Sequence, residues 1–413
     1  MQFHHITLEN GLEIIGETNP AAQSTAIGFF VKTGARDETS DVAGVSHFLE
    51  HMAFKGDEKY SAEDVNRLFD EVGASYNAST SEELTFYYAA ILPEYLEQTF
   101  ELLARMMRPS LREDDFHTEK QVIIEEIGMY DDMPAFYVYE QAMGLHFAGH
   151  PLGQSVLGST DSITALTARQ MQMYHHSRYG AGNLVLAATG NMDWEFLTAL
   201  ARKYCGSWQM GHPGRVQDEA HPAGAERWVS RNQMHQQHVM QMAPAPMAQD
   251  ALRLAAEIVG TIVGDDGTGR LHWELVETGL AESADLAYNC FDGSGIWATY
   301  LCGQPEETFS NLERIRTIYE QFNESGPTDE ELTRARNKVA SRVVLASERP
   351  MGRLSSLGEN WLYRQEYRSV AADLETLKQI DQTMIRQLLK RYPLGQTTTV
   401  GLGPLVRKDG PAA

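Results

Sequence analysis

The sequence contains little cysteine. Its three cysteines, Cys205, Cys290 and Cys302, stand far apart in a chain of 413 residues, and none forms a CxxC pair. This pattern excludes a disulfide framework and a thiolate metal site. We therefore expect the three cysteines to be buried thiols without a bonded partner.

Basic residues are also few. Lysine and arginine total 34 against 57 acidic residues, so the formal charge is −23 and the isoelectric point is about 5.0. Phosphate contacts need clustered lysine and arginine, and anionic membranes attract basic segments. We therefore expect neither a nucleic acid nor a membrane as a partner. Acidic side chains that line a cavity would attract a basic substrate, although a charged surface that maintains solubility is the simpler explanation.

Long apolar runs are missing as well. A run such as 26–31 is far too short for a bilayer span, and the first fifteen residues, MQFHHITLENGLEII, contain no basic region followed by a long apolar stretch. We therefore predict a cytoplasmic protein, unless an export segment has been removed. Because 42% of the residues are apolar, the chain can bury large cores, and its length suggests two or three domains.

The order of predicted elements indicates two similar halves. Segments 166–192 and 380–405 both contain a helix, an Arg-Tyr pair, a turn and a strand. Between the halves, 209–226 carries proline, glycine and charge without periodicity, as linkers do. We predict an α+β fold of two similar αβ domains, each a mostly antiparallel sheet with helices packed on one face. The predicted ranges are 1–208 for the N-terminal domain, 209–227 for the linker and 228–413 for the C-terminal domain.

The stretch GVSHFLEHM at 44–52 carries the residues best suited to chemistry. His47 and His51 are four positions apart, so on a helix their imidazoles share one face and can converge on one metal ion. Glu50 lies on nearly the same face and can reach a metal-bound water. A zinc-activated water and a carboxylate that accepts its proton are the machinery of peptide hydrolysis. The alternative is a helix with two incidental histidines, because the HxxEH pattern is short enough to occur by chance.

A metal site needs a third ligand, and the predicted helix 112–130 supplies candidates. At 100° per residue, Glu119 and Glu126 lie only about 20° apart, on an apolar arc that includes Val122. A carboxylate on a buried apolar face is costly unless it is paired or binds a metal. Glu126 is therefore the predicted ligand and Glu119 its companion, whereas Glu125 falls on a solvated face.

These motifs resemble the pitrilysin family of inverzincin metallopeptidases, which includes mitochondrial processing peptidase and insulin-degrading enzyme. The resemblance rests on HFLEHMAFKG and on EKQVIIEEIGMYDD, with Glu126 lying 75 positions after His51. Other stretches agree with it, namely NGLEII, FFVKTGARDE, YNASTSEELTFYY and HPLGQSVLGS. The resemblance covers most of residues 1–200 and extends more loosely over the second half. It implies a processing-peptidase-like fold and a zinc endopeptidase.

The resemblance also implies roles for individual residues. One Zn²⁺ ion per chain would be held by His47, His51 and Glu126, with Glu50 as the general base. Glu119 matches an acidic position that supports catalysis or orients a ligand.

Further positions are implied outside the metal motif, and one expected pair is missing. Asn77 and Ala78 match a stretch that binds the substrate backbone by strand addition, and Glu83 matches an acid behind the ligands. Active relatives carry an Arg and a Tyr seven positions apart in the second half, but alignment places Val276 and Glu282 there.

The missing pair leads to a hypothesis about partners. A nearby residue such as Arg270, Tyr288 or Tyr300 could replace it. We favour a metal-bearing subunit that forms a homo- or heterodimer with a homologous chain, which supplies the pair. The rival interpretation is a non-catalytic relative that binds peptides or scaffolds a complex, but the chain retains every metal and base residue.

Overall fold

The computed structural model describes residues 1–211, 213–215, 220, 222 and 224–405. The strands in these ranges are β1 (Gln2–Thr7), β2 (Glu13–Thr18), β3 (Thr25–Val31), β4 (Ser75–Thr80), β5 (Thr85–Ile91), β6 (Leu184–Gly190), β7 (Ala225–Ser230), β8 (Gln237–Pro244), β9 (Ser283–Phe291), β10 (Ser294–Gly303) and β11 (Thr398–Gly403). The helices are α1 (Val45–Ala53), α2 (Ala62–Glu71), α3 (Leu96–Met106), α4 (Glu113–Asp131), α5 (Pro134–His146), α6 (Thr160–Ala165), α7 (Ala168–Arg178), α8 (Trp194–Cys205), α9 (Arg253–Gly264), α10 (Thr308–Ser325), α11 (Asp329–Ser347), α12 (Pro350–Arg364), α13 (Val370–Gln379) and α14 (Gln382–Arg391).

Tertiary contacts divide the chain into two compact units. Unit 1 consists of Met1–Gly128, Gln154–Val216 and Leu345–Arg368. Unit 2 consists of Met129–Gly153, Gln217–Val344 and Ser369–Ala413.

Unit 1 is built on a six-stranded sheet with the order β1-β2-β6-β3-β5-β4. Neighbouring strands are antiparallel except for β2 and β6. Strand β3 is buried along its whole length because helices cover both faces of the sheet. On one face Phe29 meets Phe100 of α3, beside α1 and α8, and on the other Phe30 packs against Leu354 of α12. Helix α12 lies so close that a Cβ on Gly358 would fall 2.1 Å from the Phe30 ring, which explains the glycine.

Unit 2 repeats this plan with five strands in the order β7-β11-β8-β10-β9. Strands β7 and β11 are parallel and the remaining pairs are antiparallel, which reproduces the order β2-β6-β3-β5-β4 of unit 1. Val239 and Trp297 share a core with Ile258 of α9 and Ile315 of α10. On the opposite face, Val138 of α5 packs among side chains of β8, β10 and β11. The predicted fold class of two similar αβ domains with mostly antiparallel sheets is confirmed, and each sheet carries one further helix on its second face.

Two helices belong to the unit opposite to the one that their position in the sequence suggests. Helix α12 follows position 228 but belongs to unit 1, and α5 precedes position 208 but belongs to unit 2. The predicted ranges 1–208 and 228–413 assign each of these helices by its position in the sequence. Periodicity identifies an amphipathic helix but does not show which sheet its apolar face covers. Residues 212, 216–219, 221 and 223 of the predicted linker 209–227 lie outside the described residues.

Two further expectations concern thiols and membranes. Cys205 and Cys302 are buried thiols, as expected, whereas Cys290 is partly exposed. No helix in the described part of the chain combines the length and the apolar character that crossing a bilayer requires.

Candidate metal centre

Helix α1 presents both histidines of the HxxEH motif on one face. Val45, Phe48 and Met52 recur at helical spacing and are fully buried in unit 1. The same helical geometry turns His47 and His51 to the other side, where their ring centroids lie 4.8 Å apart. The burial of the apolar face therefore holds the two imidazoles together.

Helix α4 is held against α1 by an aromatic stack. The rings of Phe48 and Phe116 lie 4.7 Å apart with an interplanar angle of 19°. Phe116, Glu119 and Ile123 are the buried side of α4 in this region. Because Glu126 lies two turns beyond Glu119, the packing that fixes Phe116 also brings both carboxylates to the histidines.

The three predicted ligands converge. Glu126 Oε2 lies 3.8 Å from His47 Nε2 and 3.5 Å from His51 Nε2, and the ligand atoms of the three residues lie within 4.8 Å of one another. Tetrahedral zinc, with bonds of about 2.0–2.2 Å, needs ligand atoms roughly 3.3–3.5 Å apart. Glu126 Oε2 is buried and has no hydrogen-bond partner within the described residues. A divalent cation would satisfy this oxygen, so the donor set of two imidazoles and one carboxylate fits zinc.

Glu119 and Lys55 orient His51. The Nδ1 atom of His51 lies 2.9 Å from Glu119 Oε1, and Lys55 forms an ion pair with the other oxygen of Glu119. When Nδ1–H donates to the carboxylate, the Nε2 lone pair faces Glu126, as metal-binding histidines require. The hydrogen bond from His51 and the Lys55 cation hold the pKa of Glu119 below its usual value, so Glu119 remains a charged acceptor.

Glu50 is buried beside the ligands and is held by Thr80. The Thr80 hydroxyl, at the end of β4, donates to Glu50 Oε2 at 2.6 Å. Burial raises the pKa of Glu50, and the Thr80 hydrogen bond opposes that rise. A carboxylate with a raised pKa is suited to accepting and returning a proton. Burial also lowers the pKa of His47 to about 3, so this imidazole is neutral, as metal binding requires.

The remaining N-terminal candidates lie on or after β4. Strand β4 is at the end of the strand order, with Asn77 exposed and Ala78 buried on it. Glu83 is 1% exposed and forms ion pairs with Arg36, at 2.5 Å, and Arg215, at 3.8 Å. These contacts anchor the turn between β4 and β5, which follows Thr80 directly.

Several details could not be read from the helical pattern. Glu125 is exposed, as predicted, but Val122 is 44% exposed and does not share the buried face expected for it. Lys55 was missed, although it follows His51 by one helical turn, and that spacing could have identified it. Thr80 was missed because only the pairing of β4 with β5 beside α1 brings its hydroxyl to the motif.

In unit 2, Val276 and Glu282 stand at the positions where an Arg and a Tyr were expected. Val276 ends a π-helical turn, and Glu282 precedes β9. Arg270 donates from both Nε and Nη2 to a carboxylate of α11 at 2.8 Å. The Tyr288 hydroxyl donates to a backbone carbonyl at 2.7 Å, and the Tyr300 hydroxyl shares a hydrogen bond with a histidine at 2.7 Å. Each of the three possible substitutes therefore already makes a hydrogen bond within unit 2.

Comparison with known proteins places this arrangement in a family. Residues 13–160 match the model described as insulinase (peptidase family M16), and residues 165–339 match the model described as the peptidase M16 inactive domain. The chain belongs to the insulinase family of peptidases. The family predicted from the motifs is therefore confirmed.

Relatives of this insulinase-family chain are named as zinc proteases. An uncharacterized zinc protease of Mycobacterium tuberculosis is 33% identical over 92% of this chain and 88% of the relative. One from Streptomyces coelicolor is 30% identical over 98% and 90%. A protease from Helicobacter pylori has the same fold, with a TM-score of 0.89 at 21% identity and coverage of 98% and 99%. A peptidase M16 inactive domain from Pseudomonas fluorescens has a TM-score of 0.91 at 17% identity, with coverage of 99% and 100%.

Proposed function

We propose that this chain is a zinc-dependent endopeptidase that hydrolyses peptides or oligopeptides. The observation that carries the proposal is the convergence of His47, His51 and Glu126. Glu50 lies on the same helix as the two histidines, about 60° around it from His47. The zinc proteases named among its relatives support the same reaction class.

The residues of the chain divide the work between holding the metal and moving a proton. His47, His51 and Glu126 would hold zinc, which when bound supplies Lewis acidity that lowers the pKa of water and polarises a carbonyl. Glu50 accepts a proton from the attacking water and returns it to the leaving amine. Because Thr80 fixes Glu50 Oε2, we expect the proton to move through Oε1.

The substrate would bind as an added strand along β4. In the described sheet, β4 pairs with β5 on one side only. The outer edge of β4 can therefore receive an extended peptide through main-chain hydrogen bonds. Asn77 is exposed on that strand and precedes Thr80 by three residues. A peptide added along β4 would therefore lie beside the end of the strand whose Thr80 contacts Glu50.

A homologous subunit is proposed as the partner. Val276 and Glu282 cannot supply a guanidinium or a phenol. Arg270 already forms a bidentate ion pair with Glu331. A partner that carries an Arg and a Tyr would provide donors for the substrate carbonyl and the oxyanion. Assay of the purified chain alone, and again with the protein that co-purifies from its own cells, tests this. High turnover by the chain alone would contradict the two-subunit proposal.

Zinc content and activity together test the reaction. We expect about one zinc per wild-type chain, loss of zinc in Glu126→Gln, and retention in the matched control Glu125→Gln, whose carboxylate is exposed one position away. Glu50→Gln should keep zinc and lose peptidase activity. Full activity in Glu50→Gln would refute the general-base role. A zinc-loaded chain that stays inactive with its co-purified partner would favour the non-catalytic alternative.

A further inference from the structure

The helix that carries the metal motif begins at a residue that cannot cap it. The N-cap of α1 is Gly44, whose φ of +88° is a left-handed conformation. A Cβ at this position would lie 2.5 Å from the Leu157 carbonyl oxygen, so no side chain fits there. The first N–H groups of a helix lack partners within the helix, and Ser, Thr, Asp or Asn at the N-cap usually accepts from one of them. In α1 the acceptor must come from another segment.

Glu38 supplies that acceptor from six residues upstream. Its Oε2 accepts a hydrogen bond from the Gly44 N–H at 2.6 Å, and its Oε1 accepts one from the Ser46 N–H at 2.7 Å. The side chain is 5% exposed. The Ser46 hydroxyl shares a 2.7 Å hydrogen bond with Tyr174, whose hydroxyl also lies 3.1 Å from the Thr33 hydroxyl. Both carboxyl oxygens of Glu38 are therefore used at the start of α1.

The segment that delivers Glu38 is itself anchored. Arg36 pairs with Glu83, and Asp37 accepts from Arg215 through both oxygens at 3.0 and 2.6 Å. Burial raises the pKa of Glu38 to about 8, while the hydrogen bonds from Ser46 and Gly44 oppose the rise. A protonated carboxyl keeps its carbonyl oxygen as an acceptor, so at least one of the two hydrogen bonds persists in either state.

We propose that Glu38 is a positioning residue for the metal centre, holding the first turn of α1 so that His47 stays in register with Glu126. The inference rests on the proposed zinc function. His47 directly follows Ser46 and lies in the turn that Glu38 holds, whereas His51 lies in the last turn of the helix. Metal–ligand bonds tolerate only about ±0.2 Å. A loosened first turn therefore weakens metal binding mainly through His47.

The zinc dissociation constant of the full chain tests this role. Glu38→Gln keeps the side-chain volume but replaces one acceptor with an amide that faces an N–H donor. We expect zinc affinity, measured by chelator competition, to fall about 10- to 100-fold, the range found for groups that support metal ligands. The visible absorption of the cobalt-substituted variant should also change, because the His47 geometry changes.

Asp193→Asn is the matched control. Asp193 caps α8 in the same unit by accepting from the Phe196 N–H at 3.0 Å. This carboxylate-to-amide change removes the charge of a helix cap away from the histidines but leaves an acceptor oxygen, so zinc affinity should change less than twofold. Equal losses of affinity in Glu38→Gln and Asp193→Asn would overturn the inference, because they would show a general loss of stability.

A second measurement applies if Glu38→Gln does not fold. In the zinc-free wild-type chain, the Gly44 and Ser46 amides should exchange with deuterium as slowly as amides in the middle of α1. Fast exchange of these two amides would contradict the proposed capping of α1 by Glu38. A wild-type chain that binds no zinc would defeat the proposed function instead. Zinc binding that is equally tight in wild type and Glu38→Gln would defeat only the role of Glu38.

Discussion

Within unit 1, helix α12 makes a buried ion pair with β2, and the removal of this pair should be costly. Arg353 donates from Nε and Nη2 to the two oxygens of Glu17 at 2.8 and 2.7 Å, and the Tyr367 hydroxyl donates to Glu17 at 2.7 Å. The side chains of Arg353 and Glu17 are 4% and 2% exposed. Breaking such a pair by removing one partner leaves an uncompensated buried charge.

The expected loss follows from that burial. Removal of one partner of a buried pair costs about 3–5 kcal/mol, against about 0–1 kcal/mol for an exposed pair. In a unit of roughly 200 residues, 1 kcal/mol lowers the melting temperature by about 2–4 °C. Arg353→Met should therefore melt at least about 6 °C below wild type at pH 7.5. The control Arg67→Met removes an ion pair that is about half exposed, and should lower the melting temperature by less than about 4 °C.

The pH dependence distinguishes a lost charge partner from lost packing. Burial raises the pKa of Glu17, but hydrogen bonds from Arg353 and Tyr367 outweigh it, and the pKa lies below its usual value. The pair therefore stabilises the fold above the unfolded carboxyl pKa of about 4.3 and loses its contribution as pH falls through the folded value. In Arg353→Met, burial dominates and Glu17 binds a proton more readily, so the gap to wild type should narrow toward pH 4.5.

Thermal unfolding followed by circular dichroism at pH 7.5 and 4.5 measures both effects. The double variant Glu17→Gln/Arg353→Met should be more stable than Arg353→Met alone, because it carries no unpaired buried charge. A melting temperature for Arg353→Met within 2 °C of wild type, or a gap that widens in acid, would refute the reasoning.

Three further predictions concern the metal centre and unit 2. Thr80→Val should lower kcat about 10-fold without changing zinc content, because Glu50 loses a hydrogen bond to a charged group; an unchanged kcat would show that Glu50 needs no such support. Lys55→Met should weaken zinc binding about 10-fold in chelator competition, because one oxygen of Glu119 loses its cation; unchanged affinity would contradict the orienting role. Burial raises the pKa of Asp285 to about 6, so this residue costs stability as pH rises from about 4 to 6. Asp285→Asn should therefore raise the unfolding free energy by up to about 3 kcal/mol at pH 7.5 and have little effect at pH 4, as measured by urea unfolding; destabilisation at pH 7.5 would contradict it.

Local sequence pattern was sufficient to propose the three candidate ligands, but it did not identify Lys55 and Thr80, which contact their neighbours Glu119 and Glu50. His47 and His51 are related by one helical turn, and Glu126 was predicted because a carboxylate on an apolar face needs a partner. These relations are contained within single helices, which sequence periodicity describes well. The contact that assembles them, between Phe48 and Phe116, joins residues 68 positions apart and has no local signal.

The placement of α12 shows the same limit at the level of the fold. Periodicity identifies an amphipathic helix, but such a helix can cover any apolar sheet face of the right width. The contact between Phe30 and Gly358 determines which sheet α12 covers, because the Phe30 ring fits against the helix only where the helix has no side chain. Such complementarity between distant residues is a property of the folded chain.

Burial of several carboxylates limits what can be inferred about substrates from the net charge of −23. Glu17, Glu38, Glu83 and Glu119 are each at most 6% exposed, and each accepts hydrogen bonds or ion pairs from named groups in unit 1. Glu17, Glu83 and Glu119 are paired with cations, and the raised pKa of Glu38 favours its neutral form. These four residues therefore contribute little to the field at the surface. A preference for basic substrates therefore cannot follow from the composition alone. It requires carboxylates that remain exposed near β4, so cleavage rates of one peptide in lysine-rich and aspartate-rich versions should differ only if such groups face the bound strand.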